Sequence, residues 1–124
     1  MPAIVAGKSM EFTMYIVEQQ IGAVVVAKLA GRLDAATAPS ASNHLRRLIS
    51  ANVPRLILDL SELSYISSAG IRVLQSVLRD VRSQSGTVRL SGLQPPIQQT
   101  LELVGLMPAL DVYDDVAAAI HCFL

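Results

Sequence analysis

Two neighbouring hydroxyls, Ser67 and Ser68, stand immediately before Ala69-Gly70-Ile71, where apolar residues begin to recur every three to four positions. A serine at the head of a helix can do one of two things. Its oxygen can cap the first-turn amides, or it can accept a phosphate, which those unpaired amides and the positive end of the helix dipole would favour. The local pattern fits both equally. Asp34 and Asp59 each follow an apolar run, so both are expected at the carboxyl ends of strands, where α/β sheets meet ligands and partners. Together with Asp111 they could form an acidic cluster that holds magnesium and accepts phosphate on aspartate. That chemistry needs a charge-neutralising lysine after a late strand, and the lysines are Lys8 and Lys28 alone. A serine nucleophile on a sharp elbow would need glycine where Ile66 stands, and no glycine-rich phosphate loop occurs. His44 and His121 have no positional link to each other or to Ser68 and read as surface or boundary residues. Cys122, the single cysteine, can form no internal disulfide and lacks Cys or His neighbours for a metal. No catalytic residue, cofactor or metal site is therefore expected.

The elements that would hold these groups follow from periodicity. Phe12, Met14 and Ile16 alternate with Thr13, Tyr15 and Val17, Gln19-Gln20 interrupts, and Val24 to Leu29 resumes, which predicts an antiparallel strand pair. Gly31 to Asp34 ends the second strand. Thr37 is the expected N-cap of a helix with Pro39 in its first turn and Ala41, Leu45, Leu48 and Ile49 on its apolar face. Pro54 opens a strand whose core, Leu56-Ile57-Leu58, is apolar on both faces and so reads as central. Ser64 to Ile71 is then expected as a strand-to-helix loop. In the helix that follows, Ile71, Leu74, Leu78 and Val81 share the inner face, while Arg72, Gln75, Ser76 and Arg79 point outward. Ser85-Gly86 turns into the strand Thr87 to Leu90, Pro95-Pro96 starts a helix carrying Ile97, Leu101 and Val104, and Gly105 closes it. Asp111 to Tyr113 is a short strand, and Asp114 caps a last helix through Val116, Ala117 and Ile120. The sum is an α/β fold with a mixed β-sheet of four to five strands and about four helices. Residues 1–9 read as a flexible tail and 10–124 as one domain.

Composition narrows the partners. At 124 residues, 52% apolar and 16% charged, the chain can bury one core and is too apolar for disorder. Ten basic and ten acidic side chains cancel, which leaves no overall field for nucleic acid or an anionic membrane. Apolar runs such as Ile21 to Ala27 fall far below the ~20 residues of a membrane span. No basic start with a long apolar stretch marks export. A soluble, cytoplasmic protein is expected.

Three stretches, Gly31-Arg32-Leu33-Asp34, Leu58-Asp59-Leu60-Ser61 and Tyr65-Ile66-Ser67-Ser68-Ala69-Gly70-Ile71, resemble the signature stretches of the STAS domain in order and spacing. Within that family the chain is most similar to the free-standing anti-sigma-factor antagonists, whose loop reads roughly Asp-Ser-Ser/Thr-Gly-Leu with the first serine after the aspartate phosphorylated. Ser68 falls on the phosphoserine position, Gly70 on the glycine, and Asp34 on an acidic residue near the loop. Ser67 stands where the family has aspartate, and Ala69 follows the acceptor. The resemblance implies Ser68 as acceptor, with Ser67 the lesser alternative, and Asp34, Asp59, Ser67, Ala69 and Gly70 shaping the loop. Tyr65, Ile71, Arg72, Gln75 and Arg79 would meet the partner. It further implies that the unphosphorylated form binds an anti-sigma serine kinase and frees a sigma factor, that phosphorylation breaks the complex, and that a PP2C-type phosphatase resets it. The chain would be a monomer when alone. The alternative is a STAS subunit that docks a partner in a lipid-transport or signalling assembly without a phosphoserine cycle.

Overall fold

A computed structural model of the chain describes residues 3–6, 13–51, 55–121 and 123. Six strands, Ala3–Ala6 (β1), Thr13–Ile21 (β2), Val24–Leu33 (β3), Arg55–Ile66 (β4), Thr87–Ser91 (β5) and Val112–Tyr113 (β6), form one sheet in the order β1-β2-β3-β4-β5-β6. The first three pair antiparallel and the rest parallel, so the sheet is mixed as expected. Helices Ala38–Ser50 (α1), Ser68–Ser83 (α2), Pro95–Leu103 (α3) and Val116–His121 (α4) follow β3, β4, β5 and β6. Strands β2 to β6 are the five read from the sequence. The sixth, β1, lies within the segment expected as a tail, because Ala3-Ile4-Val5-Ala6 pairs with Thr13 to Ile16 and extends the sheet edge. Residues 1, 2 and 7–9 of that segment lie outside the described residues, as do Phe12, Pro54 and Cys122.

The β2–β3 hairpin closes on Ile21↔Val24 through the two-residue turn Gly22-Ala23, with Gly22 at φ 60°, the left-handed region glycine supplies without a Cβ clash. Gln19 and Gln20 do not end β2. They pair with Val26 and Val25 and lie exposed, where polar side chains cost the strand nothing.

Leu56, Ile57 and Leu58 are all fully buried, in line with a central strand. Leu56 and Leu58 join the main core with Leu45 and Ile49 of α1, Leu74 and Val81 of α2, and Ile97 and Leu101 of α3. Ile57 faces the other way, into a smaller cluster with Val24, Val26 and Ala119 of α4. Three helices thus cover one face and α4 covers part of the other. Arg89 of β5 fastens α4: its Nη1 donates to the Ala119 carbonyl at 2.9 Å, its Nε lies 3.1 Å from Asp111 Oδ2, and its guanidinium stacks 3.6 Å from the Phe123 ring centre.

Strand β4 is long because it is bulged. Its pairing with β3 slips between Lys28 and Ala30 and again between Gly31 and Arg32, each time placing an extra residue on β4. Buried side chains on this stretch therefore fall at Leu60, Leu63 and Ile66, three apart instead of two. The second bulge brings Ile66 level with Leu33, and there the sheet receives α2. Gly70, in the first turn of α2, makes this approach possible. A methyl group on it would stand 2.6 Å from the Leu33 carbonyl oxygen, 2.8 Å from Ile66 Cγ1 and 2.9 Å from Leu33 Cγ.

Two outcomes are expected. Gly70→Ala should lower stability in urea by about 1–3 kcal/mol, since the methyl meets backbone that cannot yield; an unchanged midpoint would contradict the contact. Arg89→Gln should lower it by about 1–3 kcal/mol through the lost charge-assisted bond to Ala119 and speed amide exchange in Val116–His121 ahead of the sheet.

Candidate functional site

At the carboxyl ends of β3 and β4 the chain enters α1 and α2, and the side chains there are held by backbone geometry first. Asp34 builds the α1 entry. Its Oδ1 accepts the Ala36 and Thr37 amides at 3.0 and 3.2 Å, and its carbonyl accepts the Ala38 amide at 2.8 Å. Thr37 occupies the N-cap position predicted for it, yet its hydroxyl turns back: Oγ1 donates to the Arg32 carbonyl at 2.7 Å and accepts the Asp34 amide at 3.0 Å. No side chain caps α1; the Asp34 carboxylate instead fixes the turn that leads into it, an Asx turn.

The segment expected as a loop, Ser64 to Ile71, is almost all strand and helix. Ser64, Tyr65 and Ile66 belong to β4, α2 begins at Ser68, and only Ser67 lies between. Ser64 is the bulged residue, and its Oγ donates to the Gly31 carbonyl at 2.9 Å. Tyr65 is 41% exposed, and the Arg32 guanidinium lies 4.1 Å from its ring centre, with Arg32 Nε 3.5 Å from Asp34 Oδ2.

Ser67 and Ser68 divide the two roles that their sequence left open. Ser67 is the N-cap, extended at φ −100° and ψ 178°; its amide donates to the Leu33 carbonyl at 2.9 Å, its Oγ accepts the Gly70 amide at 3.4 Å, and its carbonyl accepts the Ile71 amide at 2.9 Å. The amide, the carbonyl and the hydroxyl oxygen of this half-buried residue are thus each engaged. Ser68 is the first helical residue and is exposed. With Ser67 and Gly70 satisfied, the amides of Ser68 and Ala69 are the first-turn donors that have no intrahelical acceptor. Ala69 packs partly buried against the core.

The structure brings Asp34, Tyr65, Ser67, Ser68 and Gly70 to one edge, and it corrects two expectations. Asp59 does not shape the turn at Ser67 and Ser68: it sits seven residues before Ile66, level with Lys28 and with Ser91 at the end of β5, roughly 20 Å along the strand from Ser68. Its Oδ1 accepts the Ser61 amide at 3.0 Å. Next to it, Glu62 accepts a hydrogen bond from Lys28 and thereby holds that ammonium above the ordinary lysine range. Ile71 is not a partner-facing residue, because it falls on the inner stripe with Leu74 and Leu78 and is only 8% exposed. Arg72, Gln75 and Arg79 are exposed on the outer stripe, as expected.

Sequence reasoning missed the contributions of Arg32, Ser64 and the Thr37 hydroxyl, and the His44–Glu18 contact of 2.6 Å between α1 and β2. Only the alternation of Arg32 with buried Leu33 hinted at its outward position. Among the described residues, no three His, Cys, Asp or Glu side chains converge to hold a metal, and no helix is long and apolar enough to cross a membrane.

The model of the STAS domain matches residues 15–119. BtrV of Bordetella bronchiseptica, whose name assigns it to the anti-sigma factor antagonists, is 30% identical over 110 residues, spanning 89% of this chain and 95% of its own. The crystal structure of an anti-sigma factor antagonist from Mycobacterium paratuberculosis superposes with a TM-score of 0.83 at 20% identity, over 92% of this chain and 97% of that one. The Bacillus cell fate determinant SpoIIAA in its phosphorylated form superposes with a TM-score of 0.67 at 18% identity, over 86% and 98%. The bulged β4, the capped turn at Ser67 and the exposed Ser68 are therefore features of a chain that belongs to the STAS domain family, among the anti-sigma factor antagonists.

Proposed function

We propose that the chain is a phosphorylation-switched binding module whose acceptor is Ser68. Unphosphorylated, it binds an anti-sigma serine kinase through Tyr65 and the outer stripe of α2 and so frees a sigma factor. The kinase transfers the γ-phosphoryl group of ATP to Ser68 Oγ, releasing ADP and a proton, and the complex parts. A PP2C-type phosphatase hydrolyses the ester and restores the binding form. In this reading the chain acts in the cytoplasm, is monomeric when alone, and is a substrate and not a catalyst.

The observation that carries the assignment is the division of labour between the two serines. The hydroxyl of Ser67 is consumed as the cap of α2, whereas that of Ser68 is exposed at the first helical position. Kinases need an accessible hydroxyl, and phosphorylating Ser67 would break the cap, a loss of about 1 kcal/mol. A phosphate on Ser68 instead lies beside the Ser68 and Ala69 amides and the positive end of α2. The turn it decorates is fixed by the Leu33–Ser67 hydrogen bond and by Gly70, so adding the phosphate requires no backbone movement. Switching then comes from the dianion itself, about −1.5 to −2 charges brought to a side chain that carries none before modification. Charges misplaced in interfaces cost ~2–5 kcal/mol, which is 30-fold or more in affinity. That SpoIIAA was solved in a phosphorylated form supports the same use of this fold.

The test is incubation with ATP and an anti-sigma serine kinase from the same genome, followed by mass spectrometry of the peptide holding both serines. One phosphate on Ser68 is expected, none in Ser68→Ala, and Ser68→Asp should bind the kinase at least about 30-fold more weakly than the unmodified chain. Phosphate on Ser67 alone would overturn the residue assignment. No phosphate on either serine, together with full binding by Ser68→Asp, would overturn the switch and favour a docking subunit.

A further inference from the structure

On the outer face of α2, Ser68, Arg72, Gln75 and Arg79 are all exposed and follow one another at intervals of four, three and four residues, so they form a single stripe. The two arginines on it differ. Arg79 is engaged below, with Nη2 3.3 Å from Ser76 Oγ and Nε 3.6 Å from Asp80 Oδ1. Arg72 makes no ion pair and no side-chain hydrogen bond among the described residues. It lies one helical turn beyond Ser68, and helix side chains lean toward the N-terminus, the direction in which its guanidinium would meet the serine. An anion four residues before a cation is also the better of the two orders along a helix. No acidic side chain in the first turn competes for it.

We propose that Arg72 is the internal partner of a phosphate on Ser68. The guanidinium closes onto two of the phosphate oxygens as a charge-assisted, fork-like pair. This rests on Ser68 being the acceptor and gives the switch a second component. Before modification, Arg72 is a positive group free to meet carboxylates on a partner. After modification it is drawn into an internal pair whose sum is about −0.5 to −1, so the upper half of the stripe changes sign. The partner loses a cation and gains a repulsive dianion in one event. Arg32, held against Tyr65 and Asp34 on the neighbouring strand, is not needed for this pair.

The pair can be read without any kinase. The full chain is made with phosphoserine inserted at position 68 during translation, and the second ionisation of the phosphate is followed by phosphorus NMR across pH 4 to 8. A bound guanidinium favours the dianion, so the midpoint should lie below the usual value near 6. Arg72→Gln should raise it by about 0.2–0.4 pH, Arg72→Lys should recover part of the difference, and Arg79→Gln should leave it unmoved. Both positions are exposed, so these variants keep the fold. If Arg72→Gln titrates with the parent, or if Arg79→Gln moves the midpoint as far as Arg72→Gln does, the pair is refuted. That result would be independent of whether a kinase modifies Ser68, and a kinase that ignores Ser68 would refute the acceptor assignment without touching the titration.

Discussion

The carbonyl oxygen of Leu33 accepts the Ser67 amide at 2.9 Å, and the first turn of α2 rests on that same carbonyl at Gly70. This contact joins the ends of two parallel strands to the start of the helix that follows the second. It is possible only because two bulges lengthen β4 until Ile66 stands level with Leu33, and only because residue 70 has no side chain. Ser67 is left with one geometry, extended and capping, and Ser68 follows as the first residue able to present its side chain to solvent. The position of the Ser68 hydroxyl is thus set by a backbone hydrogen bond and a glycine contact, not by groups around the serine itself.

The charges near this turn have separate tasks. Asp34 spends one carboxylate oxygen on the α1 entry and faces Arg32 with the other, and Arg32 lies over Tyr65. These contacts brace the neighbouring strand end without reaching into the α2 stripe. The cap of α2 is neutral because Ser67 fills it, so the helix N-terminus keeps its partial positive charge undiminished by a carboxylate. A turn of this kind can be decorated with a dianion and remain in place. A switch that acts by surface charge on a rigid support needs less free energy than one that must move a packed helix, whose core contacts at Ile71, Leu74 and Leu78 would have to be remade.

Much of the fold was legible in the sequence because each element advertises its period. The helical face at Ile71, Leu74, Leu78 and Val81 and the apolar run at Leu56 to Leu58 survive unchanged in the structure. The end of β4 was not legible, for a specific reason. Two bulges space its buried residues Leu60, Leu63 and Ile66 three apart, a rhythm that belongs to neither a simple strand nor a full helix, so the stretch reads as a loop. From that follows the misplacement of Asp59, which a short strand would have left beside the turn; Ile71 is placed on the inner face by its period and toward the partner only by family resemblance, and the structure keeps the first. β1 was illegible because four residues are too few to show alternation. The roles of Arg32 and the Thr37 hydroxyl depend on cross-strand register and a turn geometry that no single stretch of sequence encodes. Family resemblance supplied what local pattern could not, a reason to expect Ser68 as the acceptor.

The central claim is that Ser68 sits on a turn already in its final form and that phosphorylation changes the charge there without moving the backbone. The most direct measurement compares backbone amide chemical shifts and exchange rates of the unmodified chain and the chain carrying phosphoserine at position 68. Perturbations should be confined to the first turn of α2 and the adjoining ends of β3 and β4, with the Ser67 amide as protected after modification as before it. Loss of that protection, or shifts spread along α2 and into the core it buries, would show that the turn is remade and would contradict the account.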